Sequence, residues 1–421
     1  MATGLDNGKC TRCGACLSVC PVYDLTRHEL FSPRGKARLF QGGASVCFGP
    51  AFLKKEKVFE TLNACLQCGG CSFVCPAGVE VDDIVRDARR RLGSPGSFFL
   101  RTILNRPYFA LRLARFLSGI SRMLPMDSGL ILRLLGFLDM SEGLTQISLP
   151  DISPRPAVLH LSRGFYDVKR GIYGLTEGKK TVFFIGCIQN YIYTDVAEAI
   201  AGLLGGAVIV PAAQVCCGMP AFASGLMDQA RALALANIRA IEDAGIFDAV
   251  VTGCASCAAM IRRWPVLFEH GPDRDAALKI ASSVMEFGDL LVRAGHVLKI
   301  SECYAGLVMT YHAPCHERFA SGGKGKAGAM EGFLGRLSPA GFRSTRSGCC
   351  GHGGVFSLKH AGLSRKIFER RLEAVVGKDK GVDLVVTTCS GCLLQFRMNT
   401  PSSLNLKAIH IAEVFYSNYK I

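Results

Sequence analysis

Two short cysteine runs constrain this chain more than any other feature. The first reads Cys10-Thr-Arg-Cys13-Gly-Ala-Cys16-Leu-Ser-Val-Cys20-Pro21, and the second reads Cys65-Leu-Gln-Cys68-Gly-Gly-Cys71-Ser-Phe-Val-Cys75-Pro76. Both have the spacing C-x2-C-x2-C-x3-C-P, which holds cubane [4Fe–4S] clusters in proteins with two such clusters. In these proteins the fourth cysteine of each run ligates the cluster of the other run. The runs therefore predict two clusters with exchanged fourth ligands.

The exchange divides the eight cysteines into two ligand sets. The first set is Cys10, Cys13, Cys16 and Cys75, and the second is Cys65, Cys68, Cys71 and Cys20. Zinc sites and disulfides are the alternatives. Zinc usually takes two C-x2-C pairs separated by a dozen or more residues, which differs from four cysteines within eleven positions. Disulfides need an oxidising compartment, and the N-terminus lacks the apolar core of a signal peptide. We expect a cytoplasmic protein.

The formal charge of +15 in 421 residues first suggests a nucleic-acid-binding protein. That value counts every thiol as neutral. If 18 of the 20 cysteines bind four clusters as thiolates, the net charge falls to about +5. The sequence also contains no recognised nucleic-acid motif in which basic and aromatic residues interleave. We therefore expect no nucleic-acid partner.

An internal repeat organises the second half of the chain. An apolar strand leads to Cys187 and, in the repeat, to Cys315; Cys-Cys-Gly follows at 216–218 and at 349–351, and Cys-x2-Cys follows at 254–257 and at 389–392. Strands that alternate with helical stretches predict α/β modules with parallel sheets. Each cysteine follows a strand, where such sheets place their binding sites. Five thiolates exceed the tetrahedral shell of zinc, so a multinuclear iron–sulfur centre fits each module better.

The predicted fold class is α/β, with a mainly helical N-terminal domain for two [4Fe–4S] clusters followed by two repeated α/β Cys-Cys-Gly modules. The predicted domains are the ferredoxin-like domain at 1–92, a basic, apolar helical linker at 93–175, and the modules at 176–300 and 301–421. The apolar stretches of the linker, 108–117 and 130–138, are too short to span a bilayer, which takes about 18–20 residues. The linker is expected to lie on the cytoplasmic face of a membrane, to dock a partner, or to pack on its own chain.

Two ferredoxin runs followed by two Cys-Cys-Gly modules resemble one family over nearly the whole chain. It is the iron–sulfur subunit family of glycolate oxidase, D-lactate dehydrogenase and anaerobic glycerol-3-phosphate dehydrogenase, which is related to the catalytic subunit of heterodisulfide reductase. The resemblance implies electron transfer from a separate FAD subunit through the cubane clusters toward quinone or another carrier. No Gly-x-Gly-x-x-Gly follows a strand, so FAD is expected on the partner.

The resemblance also implies two further, non-cubane [4Fe–4S] centres. One would use Cys187, Cys216, Cys217, Cys254 and Cys257, and the other Cys315, Cys349, Cys350, Cys389 and Cys392. The leading hypothesis is the electron-transfer subunit of a flavin-linked lactate or glycolate dehydrogenase complex. The alternative is a heterodisulfide-reductase-like enzyme that reduces a disulfide at these centres, with His352 as a candidate proton donor. A zinc-stabilised interaction scaffold is a third hypothesis, and iron analysis separates it from the others.

Overall fold

The computed structural model describes residues 9–40, 55–93, 100, 104, 151–164, 176, 179–205, 208–294, 298–319, 326–345, 347–377 and 381–416. The predicted linker stretches 108–117 and 130–138 lie outside these residues. Contacts divide the chain into two compact units. The ferredoxin unit comprises Met1–Leu149, Pro220–Ala230 and Cys349–Arg370, and the sheet unit comprises Pro150–Met219, Arg231–Gly348 and Arg371–Ile421.

The ferredoxin unit is helical in its described residues. Its helices before residue 100 are α1 (Pro21–Thr26), α2 (Pro33–Phe40), α3 (Lys55–Asn63), α4 (Gly70–Phe73) and α5 (Val81–Leu92), with 3-10 turns at Ala15–Leu17 and Glu29–Phe31. Local signals fix α5: acidic residues occupy its first turn and Arg89, Arg90 and Arg91 its last, which complements the helix dipole. The apolar core of the ferredoxin unit includes Val58, Leu62, Ile84 and Val85.

The sheet unit contains two parallel sheets. Their strands are β1 (Thr181–Phe184), β2 (Val208–Ile209), β3 (Ala249–Thr252), β4 (Val284–Glu286), β5 (Met309–Tyr311), β6 (Leu384–Thr387) and β7 (Lys407–His410). The strand orders are β2-β1-β3-β4 and β5-β6-β7, and Phe183 lies opposite Val251 in the register. Beside β5, Met309 pairs with Phe342 in a single parallel bridge. The central strands β1, β3 and β6 are entirely buried, as expected of parallel sheets covered on both faces.

Helices follow the strands, as the repeat predicts. The later helices are α6 (Ala157–Leu161), α7 (Cys187–Tyr191), α8 (Thr194–Leu204), α9 (Met219–Ala223), α10 (Met227–Asp243), α11 (Ala255–Arg263), α12 (Pro272–Ser283), α13 (Phe287–Ala294), α14 (Glu302–Ala305), α15 (Cys315–Phe319), α16 (Lys326–Leu337), α17 (Val355–Lys359), α18 (Ala361–Val376), α19 (Ser390–Asn399) and α20 (Ile411–Phe415), with 3-10 turns at Trp264–Leu267 and Ser402–Leu404. One apolar core joins both sheets and includes Phe183, Val251, Met309 and Val386. The α/β class is confirmed.

Cysteines stand at the carboxyl ends of the strands. Cys187 begins α7 after β1, Cys254 caps α11 after β3, and Cys389 caps α19 after β6. Parallel sheets collect their ligand-binding residues at this edge, so the fold places the predicted ligands of both modules where sites form. Among the described residues, no helix combines the length and the apolarity that a bilayer-spanning helix needs.

Candidate metal centres

The two ferredoxin runs share one backbone conformation. The residue before the second cysteine of each run has a positive φ, at 59° for Arg12 and 56° for Gln67. The glycine after that cysteine does too, at 84° for Gly14 and 76° for Gly69. Non-glycine residues seldom adopt this region, and such strain concentrates at functional sites. The repeated geometry curls each run around a concave surface.

A cavity lies inside the first curl. Its lining includes Cys10, Cys13, Cys16 and, from the second run, Cys75. Cys71 borders the same cavity. Burial raises the pKa of Cys16, and the neighbouring Cys10 and Cys75 raise it further. Four sulfur atoms around one cavity match the donor set of a cubane cluster, whose positive core would stabilise the thiolates.

Backbone N–H groups point at the two exchanged cysteines. The Val79 N–H donates to Cys75 Sγ at 3.3 Å, and the Tyr23 N–H donates to Cys20 Sγ at 3.5 Å. Such bonds stabilise a thiolate and orient a metal ligand. The second sulfur set is also gathered: burial raises the pKa of Cys71 well above its usual value, and Cys68, Cys65 and Cys20 add to that rise.

The five cysteines of the first module converge in the sheet unit. Cys187 and Cys216 have their sulfur atoms 4.0 Å apart. Thiol hydrogen bonds from Cys216 and Cys257 lower the pKa of Cys217 to about 6, and bonds from Cys257 and Cys389 lower that of Cys254. Hydrogen bonding to Cys216 and burial raise the pKa of Cys187. Five sulfurs gathered in this way, four of them on buried cysteines, cannot all ionise without positive charge, which an iron core would supply.

Two glycines allow this convergence. A Cβ on Gly186 would lie 2.9 Å from Cys257 Sγ, closer than a real Cβ contact, so the strand end must lack a side chain there. Gly218, directly after the Cys-Cys pair, has a φ of 95°. Gly351, which follows the Cys-Cys pair of the second module, has a φ of 83°, so both pairs are followed by a backbone conformation that favours glycine.

Three side chains that the sequence analysis missed hold the Cys216–Cys217 loop. Asn237, on α10, accepts from the Val215 N–H at 2.8 Å and donates to the Cys216 carbonyl at 3.0 Å. Trp264 Nε1 donates to the Cys217 carbonyl at 3.0 Å. Gln214 accepts from the Ile185 N–H at 2.8 Å, and its buried Nε2 has no partner among the described residues. An amide donor so placed suits hydrogen bonding to an inorganic sulfide.

The second module distributes its cysteines between the two compact units. Cys315, Cys389 and Cys392 belong to the sheet unit, and Cys349 and Cys350 to the ferredoxin unit. The Ser256 hydroxyl lies 3.3 Å from Cys389 Sγ and 2.8 Å from His316 Nδ1. The two Cys-x2-Cys segments therefore meet in the sheet unit, where Cys254 and Cys389 are hydrogen-bonded.

His312 places a buried imidazole beside a cysteine of the second module. A ring nitrogen of His312 lies within 4.8 Å of Cys392 Sγ. Arg371 donates to His312 Nδ1 at 2.9 Å, which makes Nδ1 an acceptor and leaves the proton of a neutral ring on Nε2. His352 is half-buried in the ferredoxin unit, and its catalytic role stays a prediction.

A buried carboxyl pair lies behind these segments. Glu286 is 4% exposed, and burial together with Glu317 raises its pKa well above 4.5. Glu317 accepts from the Tyr311 and Thr388 hydroxyls. Glu286 Oε1 has no hydrogen-bond partner among the described residues. The folded protein therefore binds a proton that the unfolded chain releases above about pH 4.5.

Glu286→Gln is expected to stabilise the protein at alkaline pH. A raised folded pKa contributes stability below the unfolded pKa, and this is lost as pH rises through the folded pKa. The variant should match the wild type near about pH 5 and exceed it by about 1–2 kcal/mol near about pH 8. Anaerobic thermal unfolding at both pH values measures the difference, with the exposed Glu302→Gln as control. An equal loss of stability at both pH values would contradict this account.

Comparison with known proteins agrees with these sites. Residues 6–79 match the family "4Fe-4S dicluster domain", and residues 181–262 and 309–397 each match "Cysteine-rich domain". The "Probable glycolate oxidase iron-sulfur subunit" of Bacillus subtilis is 26% identical over 97% of this chain and 94% of its own length. "Lactate utilization protein A 2" of Bacillus mycoides is 31% identical over 56% of this chain and 99% of its own length. "Lactate utilization protein A" of Geobacillus kaustophilus is 32% identical over 56% and 98%.

Proposed function

Because the chain belongs to the iron–sulfur protein family of lactate utilization protein A, we propose that it is the electron-transfer subunit of a flavin-linked 2-hydroxy acid dehydrogenase complex. Its substrate class is lactate or glycolate, which the names of the relatives support. Electrons pass from an FAD subunit through this chain toward quinone or another carrier. One observation carries the proposal: the cysteines lie together in groups, around one cavity in the ferredoxin unit and around Cys217 in the sheet unit. Such groups of cysteines bind the iron–sulfur clusters that carry electrons.

Four iron–sulfur clusters are part of the proposal. The two cubane clusters use the exchanged ligand sets, and each Cys-Cys-Gly module holds a non-cubane [4Fe–4S] centre through its five cysteines. The cavity shared by Cys10 and Cys75 supports the exchange, and the contact of Cys187 with Cys216 supports the first module. Bound clusters would supply one-electron transfer, and the cysteines would hold their irons.

The oxidation of the hydroxy acid belongs to the partner subunit. Residues 323–328 do match Gly-x-Gly-x-x-Gly, but the described element before them is helix α15, not a strand. The spacing therefore lacks the strand–turn–helix context that binds a dinucleotide. The complex is placed in the cytoplasm or on the cytoplasmic face of the membrane, which fits a quinone acceptor.

Anaerobic purification from the native host tests the proposal. A flavoprotein should co-purify, and adding lactate or glycolate to the pair should bleach the iron–sulfur absorbance of this chain. The isolated chain with its clusters intact should not respond to either acid, because iron–sulfur clusters take up single electrons and do not accept a hydride. Bleaching of the isolated chain by a hydroxy acid, or a preparation free of iron, would overturn the proposal.

A disulfide reductase is the alternative function, and a cysteine variant distinguishes it from electron transfer. In the first module Cys216, Cys217, Cys254 and Cys257 are all buried, which leaves little room for a disulfide substrate there. If disulfide reduction occurred, Cys350→Ala should abolish it and leave the EPR signals of both cubane clusters intact.

A further inference from the structure

Two cationic side chains are buried in the ferredoxin unit beside the second ligand set. Lys36 is 2% exposed and Arg89 is 8% exposed. Lys36 Nζ donates to the Phe31 and Ala64 carbonyls at 3.0 and 2.9 Å. A buried charge is costly, so its presence needs a compensating negative partner or a function.

Arg89 is anchored to the same segment of chain. One guanidinium nitrogen donates to the carbonyls of Leu62 and Cys65 at 2.7 and 2.8 Å. The other terminal nitrogen donates to the Ala223 carbonyl at 2.5 Å. These partners of both cations are backbone carbonyls, which carry no net charge. The positive charges are therefore held in place and left unneutralised by them.

The field of both cations reaches the cysteines of the second set. Burial raises the pKa of Cys20, and the Lys36 charge opposes that rise. Burial lowers the pKa of Arg89, and the Cys65 thiolate opposes that fall. Asp82 acts in the other direction: it is 3% exposed and its carboxylate lies near Cys71.

Two other cations on the neighbouring helices are paired with carboxylates. Arg86 forms an ion pair with Asp83, and Lys57 Nζ lies 2.8 Å from Glu60 Oε2. His360 is half-buried and burial lowers its pKa to about 4, so it is neutral at pH 7. Among the described residues, the buried charges around the second set that are not part of the Arg86–Asp83 pair are thus two cations, Lys36 and Arg89, and one carboxylate, Asp82.

The first ligand set has a different electrostatic environment. Two arginines line its cavity: Arg12 is exposed, and Arg34 pairs with Glu29 at 2.8 Å and has a side chain that is 34% exposed. Water screens both charges, and the carboxylate also screens that of Arg34. Cys13 is itself exposed. A buried, unscreened cation stabilises an added electron far more than an exposed, paired one.

We propose that Lys36 and Arg89 are positioning residues that make the cluster held by Cys65, Cys68, Cys71 and Cys20 the higher-potential member of the cubane pair. The proposal rests on the proposed function, which supplies the clusters and the flavoprotein reductant. An electron that enters at the exposed first set then moves inward to the second. The transfer moves one electron and neither forms nor breaks a bond.

The packing of the second set indicates where the electron goes next. Cys20 and Cys68 pack against the apolar cluster of Val22, Ala64, Leu66, Phe356 and Ile367, and Cys349 of the second Cys-Cys-Gly sequence packs against the same cluster. A Cβ on Gly353 would lie 3.1 Å from Leu66, so the loop after Cys349 and Cys350 lies close to the second run. The higher-potential cluster is therefore the one next to the following candidate carrier.

Redox titration of the full chain, monitored by EPR without oxygen, tests the proposal. The signal that disappears in Cys20→Ser marks the second cluster. Lys36→Gln keeps a donor and removes the charge. At the midpoint potential of the wild type, the ratio of reduced to oxidised second cluster in Lys36→Gln should be about tenfold lower. This corresponds to a midpoint potential about 59 mV lower for a one-electron couple. Asp82→Asn should shift the same signal upward.

The controls separate charge from structure. Arg89→Lys keeps the charge and should stay near the wild-type potential, whereas Arg89→Met should shift downward with Lys36→Gln. Lys57→Gln removes an exposed, paired charge from the same unit and should shift neither signal. Clusters that are present but unmoved in Lys36→Gln and Arg89→Met would overturn this inference alone. A chain without iron would overturn it together with the proposed function.

Discussion

Cys75→Ser is expected to remove the cluster of Cys10, Cys13 and Cys16, although Cys75 belongs to the other run. Its sulfur borders the cavity that these three cysteines line. A serine hydroxyl does not ionise near neutral pH and is therefore a far poorer iron ligand than a thiolate. Iron should fall from about 16 to about 12 atoms per chain, and one of the two cubane EPR signals should vanish.

A matched set of variants decides between exchanged and unexchanged ligands. Cys13→Ser and Cys75→Ser should delete the same signal, and Cys68→Ser and Cys20→Ser the other. Cys303→Ser should leave iron unchanged, because Cys303 lies outside the motifs, with its sulfur 3.2 Å from the Ser301 hydroxyl. If Cys75→Ser instead deleted the signal that Cys68→Ser deletes, each run would hold its own cluster and the exchange would be wrong.

Elements whose causes are local could be predicted from the sequence. The helix at 81–92 is one of them, since acidic residues occupy its first turn and basic residues its last. The helix at Pro33 begins where proline is tolerated. The strands before Cys187, Cys254 and Cys389 follow from short apolar runs that end at cysteine.

Contacts between distant segments could not be predicted. Lys36 and Arg89 bind backbone carbonyls, which every residue type has, so no sequence motif predicts these hydrogen bonds. The assignment of 220–230 and 349–370 to the ferredoxin unit likewise depends on packing of segments far apart in sequence. One signal was available: Asn237 is a single amide on a face of α10 that otherwise buries Leu233, Ala234 and Ile241.

Asn237→Leu is expected to destroy the first Cys-Cys-Gly centre and leave both cubane clusters in place. Asn237 is fully buried, and it satisfies the Val215 N–H and the Cys216 carbonyl, which flank the paired cysteines. Leucine has similar volume but no polar atom, so both backbone groups would be buried without partners. The cost is about 2–6 kcal/mol for the two groups, at about 1–3 kcal/mol per group.

Asn399→Leu is the matched control for that variant. Both amides donate to the carbonyl four residues earlier, Asn237 to Leu233 at 2.9 Å and Asn399 to Gln395 at 3.1 Å. Among the described residues, Asn399 makes no hydrogen bond to a cysteine loop. Only Asn237→Leu should lower iron to about 12 atoms per chain, because only it releases Cys216 and Cys217 from the geometry that five-sulfur binding requires. Full iron content and an unchanged unfolding temperature in Asn237→Leu would show that the loop holds its shape without this amide. The cysteines would then be positioned by Gly218 and by the Trp264 bond to the Cys217 carbonyl.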